Sequence, residues 1–277
     1  MTVSYFPGCS GHGTGVEYDV STRKVCEALG IELREIDDWN CCGATSAHAL
    51  DSELSLALGA RNLALAEASG LDQLMVPCAA CFNRLRHAAV HVEEHGMPMG
   101  LRDIEGRAEV VHLLDLLATP DRLEALGAKK FNELHRLKVV PYYGCLITRP
   151  PEVTGAEDAE NPTTMDRLLK RMEVEVVTWP YKTRCCGTSL SMTRTDLVER
   201  LSTELVDMAA RAGAEAIVTA CPLCFVNLDT RQQASPPMPI FYITEVMGLY
   251  MDVDGVRSLL RRHQVSPIAL LKSKGLY

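Results

Sequence analysis

Ten cysteines dominate the chemistry this chain can do. They fall into two sets with the same spacing: Cys9, Cys41, Cys42, Cys78 and Cys81, then Cys145, Cys185, Cys186, Cys221 and Cys224. Each set has a lone cysteine, an adjacent pair closed by glycine (Cys41-Cys42-Gly43, Cys185-Cys186-Gly187), and a Cys-x-x-Cys pair. Thiolates are nucleophiles, redox groups and ligands for soft metals. Clustered cysteines in a reducing compartment therefore read as metal ligands or redox chemistry rather than structural disulfides. Five per set is one more than a tetrahedral zinc site uses. Adjacent thiolates also reach two irons of a cluster more naturally than one tetrahedral ion, so iron–sulfur ligation fits best. Zinc at one motif and a dithiol/disulfide relay remain the alternatives.

The elements that must position these thiols repeat as well. Cys78 and Cys221 are 143 residues apart, as are Cys81 and Cys224, whereas Cys9 and Cys145 are 136 apart. The difference matches a polar, proline-bearing loop at 148–164, present only in the second copy. Thr2 to Phe6, 31–36, 74–76, 137–142, 174–178 and 216–219 read as short buried strands. Helices are expected at 15–29, with Tyr18, Thr22, Val25 and Leu29 on one face, and at 51–69, 110–117, 165–172 and 196–212. The cysteines then lie at strand C-terminal ends and helix starts, where α/β sheets bind ligands and helix dipoles favour thiolate. The expected fold is α/β: two pseudo-symmetric α/β units from an internal duplication. Their expected bounds are 1–100 and 137–277, joined by a connector at 101–136, the second unit carrying a C-terminal extension.

Composition removes several function classes. A hydrophobic content of 47% over 277 residues supports a sizeable core. A net charge of -8 with no basic run argues against nucleic acid. No apolar run approaches the roughly 20 residues of a membrane span, and Met1 leads into Thr2–Phe6 without the flanks of a signal peptide. The expectation is a cytoplasmic protein.

Residues outside the two sets have quieter readings. Cys26 sits beside a helical stripe and reads as a small buried hydrophobe. His12 and His48 flank cysteine loops and could donate a proton, although hydrogen bonding is the simpler role. Tyr142, Tyr143, Phe82 and Phe225 could shield a metal or simply pack. Lys182, Arg184 and Arg149 could draw an anion or be solvated, and Asn83 and Asn227 could bond sulfur. The segment 266–277 could dock on a partner or fray.

The duplicated order of Cys, Cys-Cys-Gly and Cys-x-x-Cys resembles the B subunit of heterodisulfide reductase, over about residues 2–230. The bacterial members are most similar, at Pro7-Gly8-Cys9-Ser10, at Asp38-Trp39-Asn40-Cys41-Cys42-Gly43-Ala44-Thr45-Ser46-Ala47-His48 and at Tyr142-Tyr143-Gly144-Cys145-Leu146. The resemblance implies two noncubane [4Fe-4S] clusters, each held by one set of five cysteines. It implies that a disulfide, or a sulfur carrier, is reductively cleaved or formed between them. It also implies two heterodisulfide reductase partners, a ferredoxin like the C subunit and a flavin-containing A subunit. The rival expectations are a quinone-linked iron–sulfur subunit, an electron relay and a zinc-stabilised scaffold.

Overall fold

Thr2–Tyr5 (β1) is a buried extended segment paired on both edges. β2 (Glu32–Glu35), β3 (Gln73–Val76) and β4 (Glu109–His112) complete a parallel sheet of order β2-β1-β3-β4. β5 (Lys138–Tyr142), β6 (Glu175–Val176), β7 (Ala216–Thr219) and β8 (Ile240–Tyr242) form a second parallel sheet of order β6-β5-β7-β8. The strand order is identical, so the fold is two pseudo-symmetric α/β units. This is a computed structural model, and it describes residues 1–44, 46–98, 100–101 and 108–277. Thr45 of the first Cys-Cys-Gly loop and 102–107 of the expected connector lie outside the described residues.

Parallel neighbours require crossovers, and helices supply them. Ser52–Ala68 begins where the Asp51 carboxylate accepts from the Glu53 and Leu54 N–H groups at 2.9 and 3.0 Å. Ala79–His95 begins at Cys78, and Pro222–Arg231 at Cys221, each in extended backbone at the end of a central strand. Pro222 at the first helical position has the fixed φ that suits a helix start.

The fourth strands depart from the expectation. Residues 110–117 were expected to be helical, but the chain is strand to His112 and helix only over Leu113–Leu117. A short apolar run in a buried parallel strand carries no alternation to separate it from a helix. The first sheet therefore takes its edge strand from within 101–136, by the register Gln73↔Glu109 to Val76↔His112. β8 was not anticipated at all.

The halves pack reciprocally. Val16–Ala28 of the first half lies on Ile243–Met251 of the second, where Ser21 and Thr244 hydroxyls meet at 2.6 Å. Thr164–Arg171 of the second half lies on Leu113–Leu117 of the first. Tyr18 stacks on Tyr242 at 4.4 Å and Tyr242 on Phe225 at 4.0 Å, so aromatic side chains of both halves share one core.

Candidate functional site

In the first half, β1 ends at a glycine turn that presents Cys9, and the chain after β2 presents Cys41 and Cys42. β3 runs into Cys78, with Cys81 one turn into the following helix. Cys9 and Cys42 lie near enough to Cys41 to shift its ionisation, and the Cys42 and Cys81 sulfurs are 3.2 Å apart. The second half repeats this. Cys145 lies near enough to Cys185 to shift its ionisation, the Gly187 N–H donates to Cys185 at 3.3 Å, and the Cys186 and Cys224 sulfurs are 3.4 Å apart.

The two sets are continuous. Cys78 lies near enough to Cys81, and across the interface to Cys221, for their ionisations to affect one another, as Cys221 and Cys224 do. The inner thiols Cys42, Cys78, Cys81, Cys186, Cys221 and Cys224 are buried, while Cys9, Cys41 and Cys185 are exposed. The five expected cysteines of each half thus lie close enough to influence one another, and the two sets adjoin across the interface.

The thiols share protons unevenly. Hydrogen bonds from Cys42 and Cys9 hold Cys41 down to about 2, and Cys145 with the Gly187 N–H holds Cys185 down to about 6. Bonds from Cys221 and Cys81 hold Cys78 well below the usual thiol range. Donation to Cys41 pushes Cys42 up to about 11. For Cys221, a bond from Cys224 acts downward, but donation to Cys78 and burial push it up to about 12. Ionising all ten would crowd anions in a partly dry site, so full deprotonation needs a cationic group among them.

Among the described residues, no three His, Cys, Asp or Glu side chains converge on a single-ion site. The contacting sulfurs come in pairs, Cys42 with Cys81 and Cys186 with Cys224, rather than meeting at one point, which suits a group larger than one ion. The backbone also leaves room for them. A Cβ on Gly8 would lie 2.9 Å from the Cys81 sulfur, and one on Gly144 would lie 3.0 Å from the Cys224 sulfur. Both glycines hold positive φ, +67° and +69°, where side chains are strained. The donors and their cradle fit an iron–sulfur group in each half.

A family model described as a cysteine-rich domain, CCG, matches residues 3–86 and 139–229. The chain belongs to the CCG cysteine-rich family. Among relatives of this CCG chain is the 8-methylmenaquinol:fumarate reductase membrane anchor subunit of Wolinella succinogenes. It is 30% identical, over 90% of this chain and 92% of the relative. A protein of Archaeoglobus profundus, named as like the B subunit of heterodisulfide reductase, is also 30% identical, over 90% of each. The B subunit of a ferredoxin:CoB-CoM heterodisulfide reductase of Methanosarcina mazei is 26% identical, over 89% of this chain and 88% of the relative. The resemblance to the heterodisulfide reductase B subunit is therefore shown. A solved structure of a hypothetical protein from Helicobacter pylori superposes with a TM-score of 0.70 at 14% identity. It covers 95% of this chain, which spans 51% of that one, and it bears on the fold alone.

Around the CCG cysteines, the other candidates take definite places. Cys26 is buried in the core and pushed up to about 12 by burial. His12 is exposed and bonds Glu35 at 3.4 Å, and His48 meets Arg84 at 3.0 Å. Tyr142, Tyr143, Phe82 and Phe225 are all buried, and the Tyr142 hydroxyl donates to the Arg184 carbonyl at 2.7 Å. Lys182 is neither solvated nor open to a substrate: its ammonium is buried on Asp166 at 2.9 Å and the Pro162 carbonyl at 2.9 Å. Arg149 and Arg184 are surface groups facing Glu160 and Glu204.

The two asparagines diverge. Asn227 donates to the Cys186 sulfur at 3.7 Å and to its carbonyl at 3.3 Å, whereas Asn83 binds the Leu146 and Arg149 carbonyls of the other half. The tail packs on its own chain through buried Leu271 and Leu276 and an Arg257 bond to the Leu276 carbonyl. The sequence reading missed His112, which is fully buried and bonds the Pro77 carbonyl beside Cys78, because it ends a strand that was read as helix.

Proposed function

We propose that this chain is the catalytic iron–sulfur component of a heterodisulfide reductase-like complex that reductively cleaves, or in reverse forms, a disulfide. Cys9, Cys41, Cys42, Cys78 and Cys81 would hold one noncubane [4Fe-4S] cluster, and Cys145, Cys185, Cys186, Cys221 and Cys224 the other. Bound there, the two clusters would supply the one-electron chemistry that thiols alone lack. Cleavage takes two electrons and two protons and gives two thiols. The observation that carries the reading is that the Gly8–Gly11 turn bearing Cys9 packs on the Pro222–Arg231 helix bearing Cys224, which makes the two donor sets neighbours. One disulfide, with sulfurs about 2 Å apart, can then lie within reach of both. Exposed Cys9, Cys41 and Cys185 mark the side that a substrate approaches. Buried Tyr18, Tyr242, Phe82 and Phe225 keep water from the inner side.

The partners in this reading are a ferredoxin like the C subunit of heterodisulfide reductase and a flavin-containing A subunit, in the cytoplasm. Leu50, Leu54 and Met192 stand exposed just beyond the two Cys-Cys-Gly turns, which supports protein contacts there. A quinone-linked role is the second reading, favoured by the relative named as a fumarate reductase membrane anchor. Among the described residues, no helix is long and apolar enough to cross a membrane.

The test is anaerobic reconstitution followed by metal analysis and thiol release from a disulfide driven by reduced viologen. About eight irons per chain, the content of two four-iron clusters, with thiol release would support the reading. One or two zincs without iron would sink it. Full iron with flotation on lipid vesicles and quinol oxidation, but no thiol release, would favour the second reading.

A further inference from the structure

The helix Ala79–His95 carries Cys81 in its first turn, and two residues further on it reaches into the other half. Asn83 is completely buried. Its amide nitrogen donates to the Leu146 carbonyl at 3.2 Å and to the Arg149 carbonyl at 2.8 Å. Its amide oxygen accepts from Arg84 at 2.7 Å, so both N–H groups are used and the amide orientation is fixed. Arg86, three residues on, donates to the Val153 carbonyl at 3.0 Å. Leu146 and Arg149 are the first and fourth residues after Cys145. The turn between them closes on Cys145 itself, whose carbonyl accepts from the Thr148 and Arg149 N–H groups at 3.4 and 3.0 Å. A path of hydrogen bonds and backbone therefore runs from the helix of Cys81 in the first set to Cys145 in the second.

The reverse contact is built differently. Val226 matches Asn83 at the 143-residue offset, and its side chain has no polar atom. The Gly8–Gly11 turn, with Cys9, packs on the Pro222–Arg231 helix. The close approach there is apolar: a Cβ on Gly15 would lie 2.7 Å from the Pro222 Cβ. The bonds within that turn, from the Gly13 and Gly15 N–H groups at 3.0 and 2.8 Å, go to the Ser10 carbonyl of the same half. The Cys145 turn thus takes polar support from the opposite Cys-x-x-Cys helix, whereas the Cys9 turn meets its counterpart by shape.

We infer that Asn83 is a positioning residue for the opposite set: it fixes the turn that presents Cys145, and so makes the geometry of the second site depend on the Cys-x-x-Cys helix of the first. The inference rests on the iron–sulfur reading for its functional meaning, while the grip of Asn83 on the turn belongs to the protein chain alone. Asn83 acts through Cys145 and needs no contact with substrate.

The test is Asn83→Leu, which keeps the volume and removes both donors. In metal-free full-length protein, hydrogen exchange read by mass spectrometry should show the Thr148 and Arg149 amides exchanging about tenfold faster, the weight of two lost hydrogen bonds. The Gly13 and Gly15 amides of the Cys9 turn are the internal control and should keep the wild-type rate. Equal acceleration in both turns is general loosening, and no acceleration at Thr148 and Arg149 means that Asn83 does not hold them; either overturns the proposal. If Asn83→Leu does not fold, Asn83→Ser, too short to reach either carbonyl, is read in the same way.

Reconstituted protein gives an independent readout. A ferrous-iron chelator should draw iron from Asn83→Leu in two phases, about half of it about tenfold faster than from the wild type. Iodoacetamide added after the fast phase should label Cys145 and Cys185 and leave Cys9 and Cys41 unlabelled, as mapped by peptide mass spectrometry. Release at the wild-type rate, or labelling of the first set, overturns the proposal. Wild-type protein that binds no iron, with the exchange difference intact, would refute the proposed function and leave the hold of Asn83 on the turn standing.

Discussion

Gly8→Ala probes the sulfur cradle most directly, and the chain contains its own control. At Gly8 φ is +67°, and a Cβ would sit 2.9 Å from the Cys81 sulfur. At Gly70 φ is +73°, and a Cβ would meet nothing within 4 Å. Placing alanine in left-handed backbone costs about 1–2 kcal/mol at either site. Only Gly8→Ala adds the overpacking against sulfur, about 1–3 kcal/mol. Gly70→Ala should therefore lose about 1–2 kcal/mol and Gly8→Ala about 2–5 kcal/mol. Urea unfolding of metal-free protein measures both. On reconstitution, Gly8→Ala should lose about half the iron, since only the first set is disturbed, while Gly70→Ala should keep all of it. Equal destabilisation of the two variants, or full iron in Gly8→Ala, would refute the claim that the glycine is there to admit the sulfur.

Cys41→Ala and Cys185→Ala should each lower bound iron to about half that of the wild type, and loss of all iron from either, measured by metal analysis, would show that the two sets do not load independently. Cys26→Ala should keep the full iron content and visible spectrum, with only a small stability loss for a buried small side chain. The buried pair of His263 and Glu245, at 2.8 Å, gives a pH signature. Burial opposes the charge on His263, but Glu245 outweighs it and raises the folded value. The pair's contribution should be complete below about pH 6.5, the unfolded histidine value, and decline as pH rises through the higher folded value. Unfolding midpoints of the wild type should lose this increment toward alkaline pH, and those of His263→Gln should not; parallel profiles would refute it.

Most of what places the thiols was legible in the sequence. β1, β3, β5 and β7 carry dense apolar residues and end at turn residues beside a cysteine. Asp51 and Gly70 bracket a helix rich in leucine and alanine. The repeat then says that whatever one set does, the other does too. The fourth strands were not legible. Glu109–His112 runs without a break into Leu113–Leu117, and period alone cannot divide an apolar strand from an apolar helix. The duplication gives no help there. The Ala79–His95 helix and the stretch from it to the fourth strand are both longer than their counterparts after Cys221, so His112 and Tyr242 are 130 residues apart and fall out of the 143-residue register. Lys182 failed for another reason: its partner Asp166 is distant in sequence, and charge spacing does not reveal a buried pair.

The reciprocal helix packing has an evolutionary meaning. Val16–Ala28 covers the other half's Ile243–Met251, and Thr164–Arg171 covers the first half's Leu113–Leu117. Contacts of that kind, each patch meeting its partner's counterpart, are those of an isologous twofold dimer. A single-copy ancestor using them would assemble as a homodimer, with both sulfur sets obliged to be the same. Fusing the copies into one chain frees the halves to differ while their stoichiometry stays fixed. The histidine on one side and the tyrosine on the other, and the 148–164 loop on one side only, are differences that a homodimer could not have held.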